Sequence, residues 1–166
     1  MKLDQLASVA DAIVSGNKGL LAADESTGTI TNRLASIGVE STEENRRDYR
    51  EMLFRTEGLG QYISGTILYD ETIRQRSKDG IPLTKLLMDQ GILPGIKVDT
   101  GAKALAGSED EKVTEGLDGL RERVSEYVAH GAKFAKWRAV ISIGVSIPSN
   151  YCINVNAHSL ARYARI

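Results

Sequence analysis

The feature that most constrains the fold is a short apolar segment that ends in a carboxylate. Residues 20–24 read Leu-Leu-Ala-Ala-Asp, with turn-forming residues before them and a Ser/Thr/Gly cluster after them. A short apolar run between turn signals is typical of a buried parallel strand. Because side chains alternate along a strand, Asp24 shares a face with Leu20 and Ala22. The segment therefore places an acid at the carboxyl end of a strand, where α/β folds carry their chemistry.

Two later predicted strands carry charged residues in the same way. Lys97 lies on the predicted strand 96–99, and Lys136 and Arg138 share one face of the predicted strand 134–141. A charge inside a buried strand is costly unless it faces a polar site, because an unpaired buried charge is strongly disfavoured. The three strands therefore predict one shared polar pocket at their carboxyl ends.

The order of the predicted elements indicates a parallel α/β fold. An amphipathic helix over residues 1–15 is followed by four strand–helix units at intervals of roughly 30 residues, which is typical of βαβ units. No Pro/Ser-rich linker divides the chain, so residues 1–166 are predicted to form a single unit. Both a doubly wound open sheet and half of a (β/α)₈ barrel fit this pattern, and a complete barrel needs roughly 250 residues.

Three local patterns give more detailed predictions. Ser41 stands three residues before Glu44, which is typical of a capping box and predicts a helix over residues 42–56. The many charges on this helix are predicted to form a solvated face. Residues 101–114 are predicted to be a polar loop, and residues 115–130 a long helix with one apolar stripe.

Composition excludes several classes of protein. The 166 residues carry a net charge of −1, which predicts no broad attraction to nucleic acid or to a membrane surface. Cys152 is the one cysteine, so no intramolecular disulfide can form and a reducing compartment, by default the cytoplasm, is expected. The two histidines have no partner at ligand spacing, so no metal site is predicted.

Long segments of the chain resemble the class I fructose-bisphosphate aldolases. The similarity extends from the first predicted helix almost to the last residues, and its motifs are long and specific. Members of this family are (β/α)₈ barrels of about twice this length, so the resemblance implies the TIM-barrel family with only the first four βα units present. The segments are residues 20–29 (LLAADESTGT), 41–49 (STEENRRDY), 67–72 (ILYDET), 95–99 (GIKVD), 116–120 (GLDGL), 134–140 (FAKWRAV) and 156–163 (NAHSLARY).

The resemblance implies a carbon–carbon lyase of glycolysis. Its reaction is the reversible cleavage of fructose 1,6-bisphosphate to dihydroxyacetone phosphate and glyceraldehyde 3-phosphate. A lysine forms a Schiff base with the ketose, and the protonated imine serves as the electron sink. The family implies no metal and no cofactor, sugar phosphates as the small-molecule partners, no nucleic acid or membrane partner, and a homo-oligomer, a tetramer, at full length.

The family's functional residues can be carried over at seven positions. Asp24 matches an aspartate near the substrate hydroxyls, where a carboxylate can orient a hydroxyl or remove its proton. Lys136 matches a lysine that assists carbinolamine formation, and both are expected to be catalytic. The positions that match residues around the substrate and its phosphates are Ser26, Thr29, Arg33, Lys97 and Arg138.

The resemblance implies that several parts of the family's machinery are missing from residues 1–166, including the phosphate residues of strands seven and eight and the mobile C-terminal tail. The imine-forming lysine belongs to a sixth strand and the acid/base glutamate to a fifth, and neither matches a position here. The chain is therefore expected to be inactive alone, and its open strand edges predict self-association or a need for a complementary half. The alternatives are a non-catalytic half-barrel that binds phosphosugars or serves assembly, and an open flavodoxin-like sheet that binds a nucleotide or flavin.

Overall fold

The computed structural model describes residues 3–166. The predicted first helix is confirmed over residues 3–14, and its first two residues lie outside the described part of the chain. Within residues 3–166 the chain forms eight helices and six strands. They are α1 (Leu3–Val14), β1 (Gly19–Ala23), α2 (Thr27–Ala35), α3 (Glu43–Phe54), α4 (Leu59–Tyr62), β2 (Ile63–Leu68), α5 (Asp70–Arg74), α6 (Leu83–Met88), β3 (Leu93–Lys97), β4 (Gly101–Ala104), β5 (Lys112–Glu115), α7 (Leu120–Ala129), β6 (Phe134–Lys136) and α8 (Asn150–Arg165).

Four strands form the main sheet in the order β1-β2-β3-β6. The pairs β1–β2 and β2–β3 are parallel, as the sequence predicts. Ala23 is level with Leu68 in the register, and Leu68 is level with Ile96, so the carboxyl ends of three strands meet at one edge of the sheet. β1 and β6 are the outer strands of the sheet that residues 3–166 form.

The chain divides into two compact units. The first contains the residues up to Lys97 together with Tyr127–Ala135, and the second contains Val98–Glu126 and Lys136–Ile166. The prediction of one domain over the whole chain stays a prediction. The core of the first unit is formed by side chains from both the sheet and the helices. Among the most buried apolar side chains of this core are Ile30, Phe54, Leu68, Ile73, Leu83, Leu87, Ile92 and Ile96.

Two glycines in the first unit let an aromatic ring lie directly on the sheet. The ring of Phe134 packs over Gly65 of β2 and Gly95 of β3. A Cβ atom on Gly95 would lie 2.3 Å from Cζ of this ring, and one on Gly65 would lie 3.0 Å from its Cε1. Real Cβ atoms do not approach another heavy atom as closely as 2.3 Å, so the ring can occupy this position only because Gly95 has no side chain.

We expect Gly95→Ala to destabilise the protein by about 1–3 kcal/mol, because the added methyl group overpacks the Phe134 site. The matched control is Gly28→Ala in α2, where a Cβ atom meets nothing within 4 Å. This control should be neutral or stabilising by up to about 1 kcal/mol, since alanine is the better helix residue. Urea denaturation followed by circular dichroism measures both changes, and equal effects would contradict the packing described here.

The first segment of the second unit departs from the sequence prediction. The prediction of a loop over residues 101–114 is wrong at both ends of the segment, because β4 and β5 pair there as an antiparallel hairpin. The following helix begins at Leu120 rather than at residue 115. Gly116 and Gly119 have φ values of +130° and +60°, which a right-handed helix does not contain, so the helix starts only after them.

A buried carboxylate holds the start of α8 in the second unit. Glu111 accepts hydrogen bonds from the backbone N–H of Ser149 (2.6 Å), the Ser149 hydroxyl (2.6 Å) and the Ser108 hydroxyl (2.8 Å). Ser149 is the N-cap of α8, and its hydroxyl accepts from the N–H of Cys152 at 3.1 Å. The hydrogen bonds from Ser149, supported by that from Ser108, lower the pKa of Glu111 below its ordinary value.

This lowered pKa predicts a stability that falls in acid. The unfolded chain binds the proton near pH 4.3, so the Glu111 contribution is complete above that pH and is lost as pH falls through the lower pKa of the folded state. We expect Glu111→Gln to be less stable than the parent at pH 7 and to lose less of its stability on acidification. Chemical denaturation from pH 7 to pH 3 measures the difference, with Glu109→Gln in the same loop as the control. Parallel profiles for Glu111→Gln and the parent would contradict this role.

Candidate functional site

Asp24 and Lys97 lie at the same edge of the sheet in the first unit. Asp24 directly follows Ala23 of β1, and Lys97 directly follows Ile96 of β3. In the register, Ala23 and Ile96 are both level with Leu68 of β2, so Asp24 and Lys97 are level with each other. Because side chains alternate along a strand, Asp24 and Lys97 face the side of the sheet opposite to that of Ala23 and Ile96. Their backbones are separated by two strand spacings, roughly 10 Å. Both side chains are half-buried.

The start of α2 adds three polar side chains next to Asp24. Ser26 is the N-cap residue, yet its hydroxyl makes no capping bond and instead shares a hydrogen bond of 3.1 Å with the Thr29 hydroxyl. Arg33 lies one turn further along the helix. Because residues at this spacing are neighbours on a helix, the three lie along one stripe of α2, and the buried residues Ile30 and Leu34 lie along an adjacent stripe roughly a quarter turn away. Backbone N–H groups at a helix start also favour anions.

The Arg33 guanidinium is held at one of its nitrogens. Nη1 donates to the Tyr49 hydroxyl at 3.1 Å and to Oε1 of Glu25 in a close ion pair. The hydrogen bond to Tyr49, with the nearby Glu25 charge, raises the pKa of Arg33 above its ordinary value. The side chain is 51% exposed, so the remainder of the guanidinium faces solvent.

A fully buried arginine fixes the loop between β1 and α2. Arg50 of α3 is 0% exposed, and its Nη2 donates to the backbone carbonyl of Glu25 at 2.7 Å. The Glu25 carboxylate lies 3.8 Å from the same guanidinium, and the Glu71 carboxylate lies 3.7 Å from it. Arg46, one turn earlier, binds Glu71 with two nitrogens at 2.9 and 2.5 Å. Burial lowers the pKa of Arg50 despite these two acids.

The prediction of a solvated face on α3 is therefore wrong for Arg46 and Arg50. The helix also begins one residue later than the capping-box pattern suggests, since Thr42 is the N-cap and its hydroxyl accepts from the N–H of Asn45 at 3.1 Å. The charges alone gave no sign of burial. The usable signal is spacing: Arg50 stands four residues before the buried Phe54, so it lies on the face of α3 that packs inward.

The second unit carries the other two predicted site residues. Lys136 is the last residue of β6 and is half-buried, and its carbonyl accepts from the N–H of Val98 at 3.1 Å. Arg138 is exposed and lies outside the strand, so the predicted strand over 134–141 is wrong after residue 136. Its N–H donates to the buried Asp99 carboxylate at 3.3 Å, and its carbonyl accepts from Thr114 at 2.7 Å. Side chains thus replace strand partners after β6.

The structure brings together Asp24 and Lys97 at one sheet edge, and Ser26, Thr29 and Arg33 on one face of α2. The convergence of Lys136 and Arg138 with these residues stays a prediction. Among residues 3–166 no group of three histidine, cysteine or carboxylate side chains could hold a metal ion. No helix in the same range is long and apolar enough to cross a membrane.

The family model described as fructose-bisphosphate aldolase class-I matches residues 5–166. The chain belongs to the class I fructose-bisphosphate aldolase family. It is 60% identical to the probable fructose-bisphosphate aldolase class 1 of Xanthomonas campestris pv. campestris over 100% of this chain and 50% of that protein. It is 55% identical to fructose-bisphosphate aldolase 6, cytosolic, of Arabidopsis thaliana over 98% of this chain and 46% of that protein.

A solved structure of this family has the same fold. The fructose-bisphosphate aldolase of Plasmodium falciparum, co-crystallised with TRAP and a small-molecule inhibitor, superposes with a TM-score of 0.93 at 48% identity. The match covers 97% of this chain and 47% of that chain. The predicted fold class, the TIM-barrel family with four βα units present, is confirmed. The chain spans about half the length of the curated aldolases it matches.

We expect Arg50→Met to destabilise the protein by roughly 3 kcal/mol, because the Glu25 and Glu71 carboxylates then lose the buried guanidinium that lies between them. The control is Arg47→Met on the same helix, whose partners Glu44 and Asp48 are more exposed. The control should cost less than about 1 kcal/mol, as surface ion pairs contribute little. Urea denaturation at pH 7 measures both, and a loss at Arg50 no larger than that at Arg47 would contradict the role of Arg50.

Proposed function

We propose that this chain supplies half of the substrate site of a class I fructose-bisphosphate aldolase. The reaction is the reversible cleavage of fructose 1,6-bisphosphate to dihydroxyacetone phosphate and glyceraldehyde 3-phosphate through a lysine Schiff base. The observation that carries the proposal is the placement of Asp24 and Lys97 on one face at one sheet edge, next to the hydroxyl-bearing start of α2. The family match over residues 5–166 supports the chemistry.

Each residue of the first unit has a role in the proposal. Asp24 orients a substrate hydroxyl or removes its proton, since a carboxylate within hydrogen-bond reach can do either. Lys97 supplies a compact positive charge for a phosphate, and Arg33 supplies a planar fork of donors. Ser26 and Thr29 offer hydroxyl donors at the start of α2, where the helix dipole also favours an anion.

The second unit contributes Lys136 and Arg138. Lys136 is proposed to transfer protons during carbinolamine formation, since a lysine amine within hydrogen-bond reach of the substrate can do so. Arg138 is proposed to bind a substrate phosphate, and its exposed side chain is accessible for this. Both assignments come from the family motif at residues 134–140.

The imine and the main acid/base step are proposed to use residues outside 1–166. In the family these are a lysine on the sixth strand and a glutamate on the fifth, and the described sheet contains four strands. We therefore propose that residues 1–166 alone do not cleave the sugar, and that the active form is a closed, homo-oligomeric barrel without a metal. A cytoplasmic location is also proposed, in line with the Arabidopsis relative that is named cytosolic.

A second candidate function is a non-catalytic half-barrel that binds phosphosugars or pairs with another chain. The two outer strands of the sheet favour this candidate, because unpaired strand edges are ready sites for pairing. It differs from the first candidate in one chemical respect, which is that no imine forms even when the missing half is supplied.

Borohydride reduction in the presence of fructose 1,6-bisphosphate separates the two candidates. It traps an imine as a stable secondary amine, which mass spectrometry locates on a lysine. We expect no label on residues 1–166 alone, and a label on the second half of the Xanthomonas relative when the two are produced together. A label on Lys97 or Lys136 would overturn the assignment of the imine to the other half. Absence of label in the mixture, with the intact Xanthomonas enzyme labelled as the control, would favour the non-catalytic half-barrel.

A further inference from the structure

The way Arg33 is held leaves one edge of its guanidinium free. Both hydrogen bonds of this side chain use Nη1, one to the Tyr49 hydroxyl and one to the Glu25 carboxylate. Within residues 3–166, Nε and Nη2 have no hydrogen-bond partner. These two nitrogens form one side of the planar fork, and parallel bonds from such a pair of nitrogens are how arginine binds a phosphate.

The two groups that hold Arg33 are themselves fixed. The Glu25 side chain is 10% exposed, and its backbone carbonyl accepts from the buried Arg50 at 2.7 Å. Tyr49 precedes the buried Arg50 on α3, so the helix that carries Arg50 also carries the second support of Arg33. An arginine on an exposed helix face otherwise samples many rotamers, and binding must then restrict them. Here the restriction exists before any ligand arrives.

We propose that Tyr49 and Glu25 are positioning residues that hold Arg33 with its Nε–Nη2 edge directed at a substrate phosphate. This inference rests on the proposed function, because Arg33 is assigned there to the phosphate-bearing substrate. Neither partner touches the substrate in this proposal. They act through Arg33 by reducing the conformational freedom that binding would otherwise remove.

The two supports differ in charge, and this difference selects the better test. Glu25 fixes Arg33 but also offsets part of its positive charge, so Glu25→Gln changes geometry and electrostatics together. Tyr49→Phe removes one hydroxyl oxygen and leaves the net charge and the ring unchanged. Any loss of phosphate affinity in Tyr49→Phe therefore reports positioning alone.

The experiment titrates fructose 1,6-bisphosphate into the chain and its variants by isothermal calorimetry. Tyr49→Phe should weaken binding roughly three- to tenfold, the effect of one hydrogen bond that orients a charged group. Arg33→Lys, which lacks the fork, should weaken it by about tenfold or more. In the Arg33→Lys background, Tyr49→Phe should add less than about twofold, because its effect passes through Arg33. The control is Tyr62→Phe, a 71% exposed tyrosine on α4, which should bind like the parent.

Different outcomes separate this inference from the proposed function. If Arg33→Lys weakens binding but Tyr49→Phe does not, the phosphate role of Arg33 stands and the positioning role is overturned. If Tyr49→Phe weakens binding equally in both backgrounds, Tyr49 acts on the fold rather than through Arg33, which also overturns the inference. A parent chain that shows no affinity for the bisphosphate, both alone and when produced together with the second half of the Xanthomonas relative, overturns both. An Arg33→Lys variant that binds like the parent also overturns both.

Discussion

The arrangement of the first unit depends on one buried guanidinium. Arg50 is removed from water, and it contacts a backbone carbonyl and two carboxylates on segments that are distant from it in sequence. A charge in this position is tolerated only because acids on both sides compensate for its lost hydration. The segments that Arg50 contacts are the loop after β1 and the start of α5. Arg50 therefore holds the loop that carries Asp24 against α3. The site is thus built on an ionic cluster rather than on apolar packing alone.

The outline of the fold follows from the sequence, because its signals are local. Apolar runs bounded by turns identify β1 and β2, while the strand predicted over residues 96–99 overlaps only the end of β3 (Leu93–Lys97). The spacing of roughly one βα unit indicates parallel pairing. The sequence does not mark the hairpin of β4 and β5, because its strands are only four residues long and contain one large apolar side chain, Val113. The end of β6 was missed because Asp99 and Thr114, distant in sequence, take over the backbone contacts of Arg138.

The candidate site also contains residues that the sequence marks and residues that it does not mark. Asp24, Lys97 and Lys136 could be found from sequence, because a charge at the end of an apolar strand is a local anomaly. Glu25, Tyr49 and Arg50 could not be found by that rule, since they stand among many charges on a polar helix or beside a more prominent acid. Their roles depend on which face of α3 packs inward, and tertiary contacts decide that. The residues proposed to contact a ligand are thus easier to recognise in this chain than the residues that hold them in place.

The strand order β1-β2-β3-β6 has a consequence for how a closed barrel could form. Each outer strand presents a row of backbone donors and acceptors, and water satisfies these groups while they remain exposed. A second set of strands that joined along only one seam would leave the other row facing an interior that excludes water. The two strand edges therefore gain stability only when both are paired, so barrel closure should be cooperative, with no stable intermediate in which only one edge is paired.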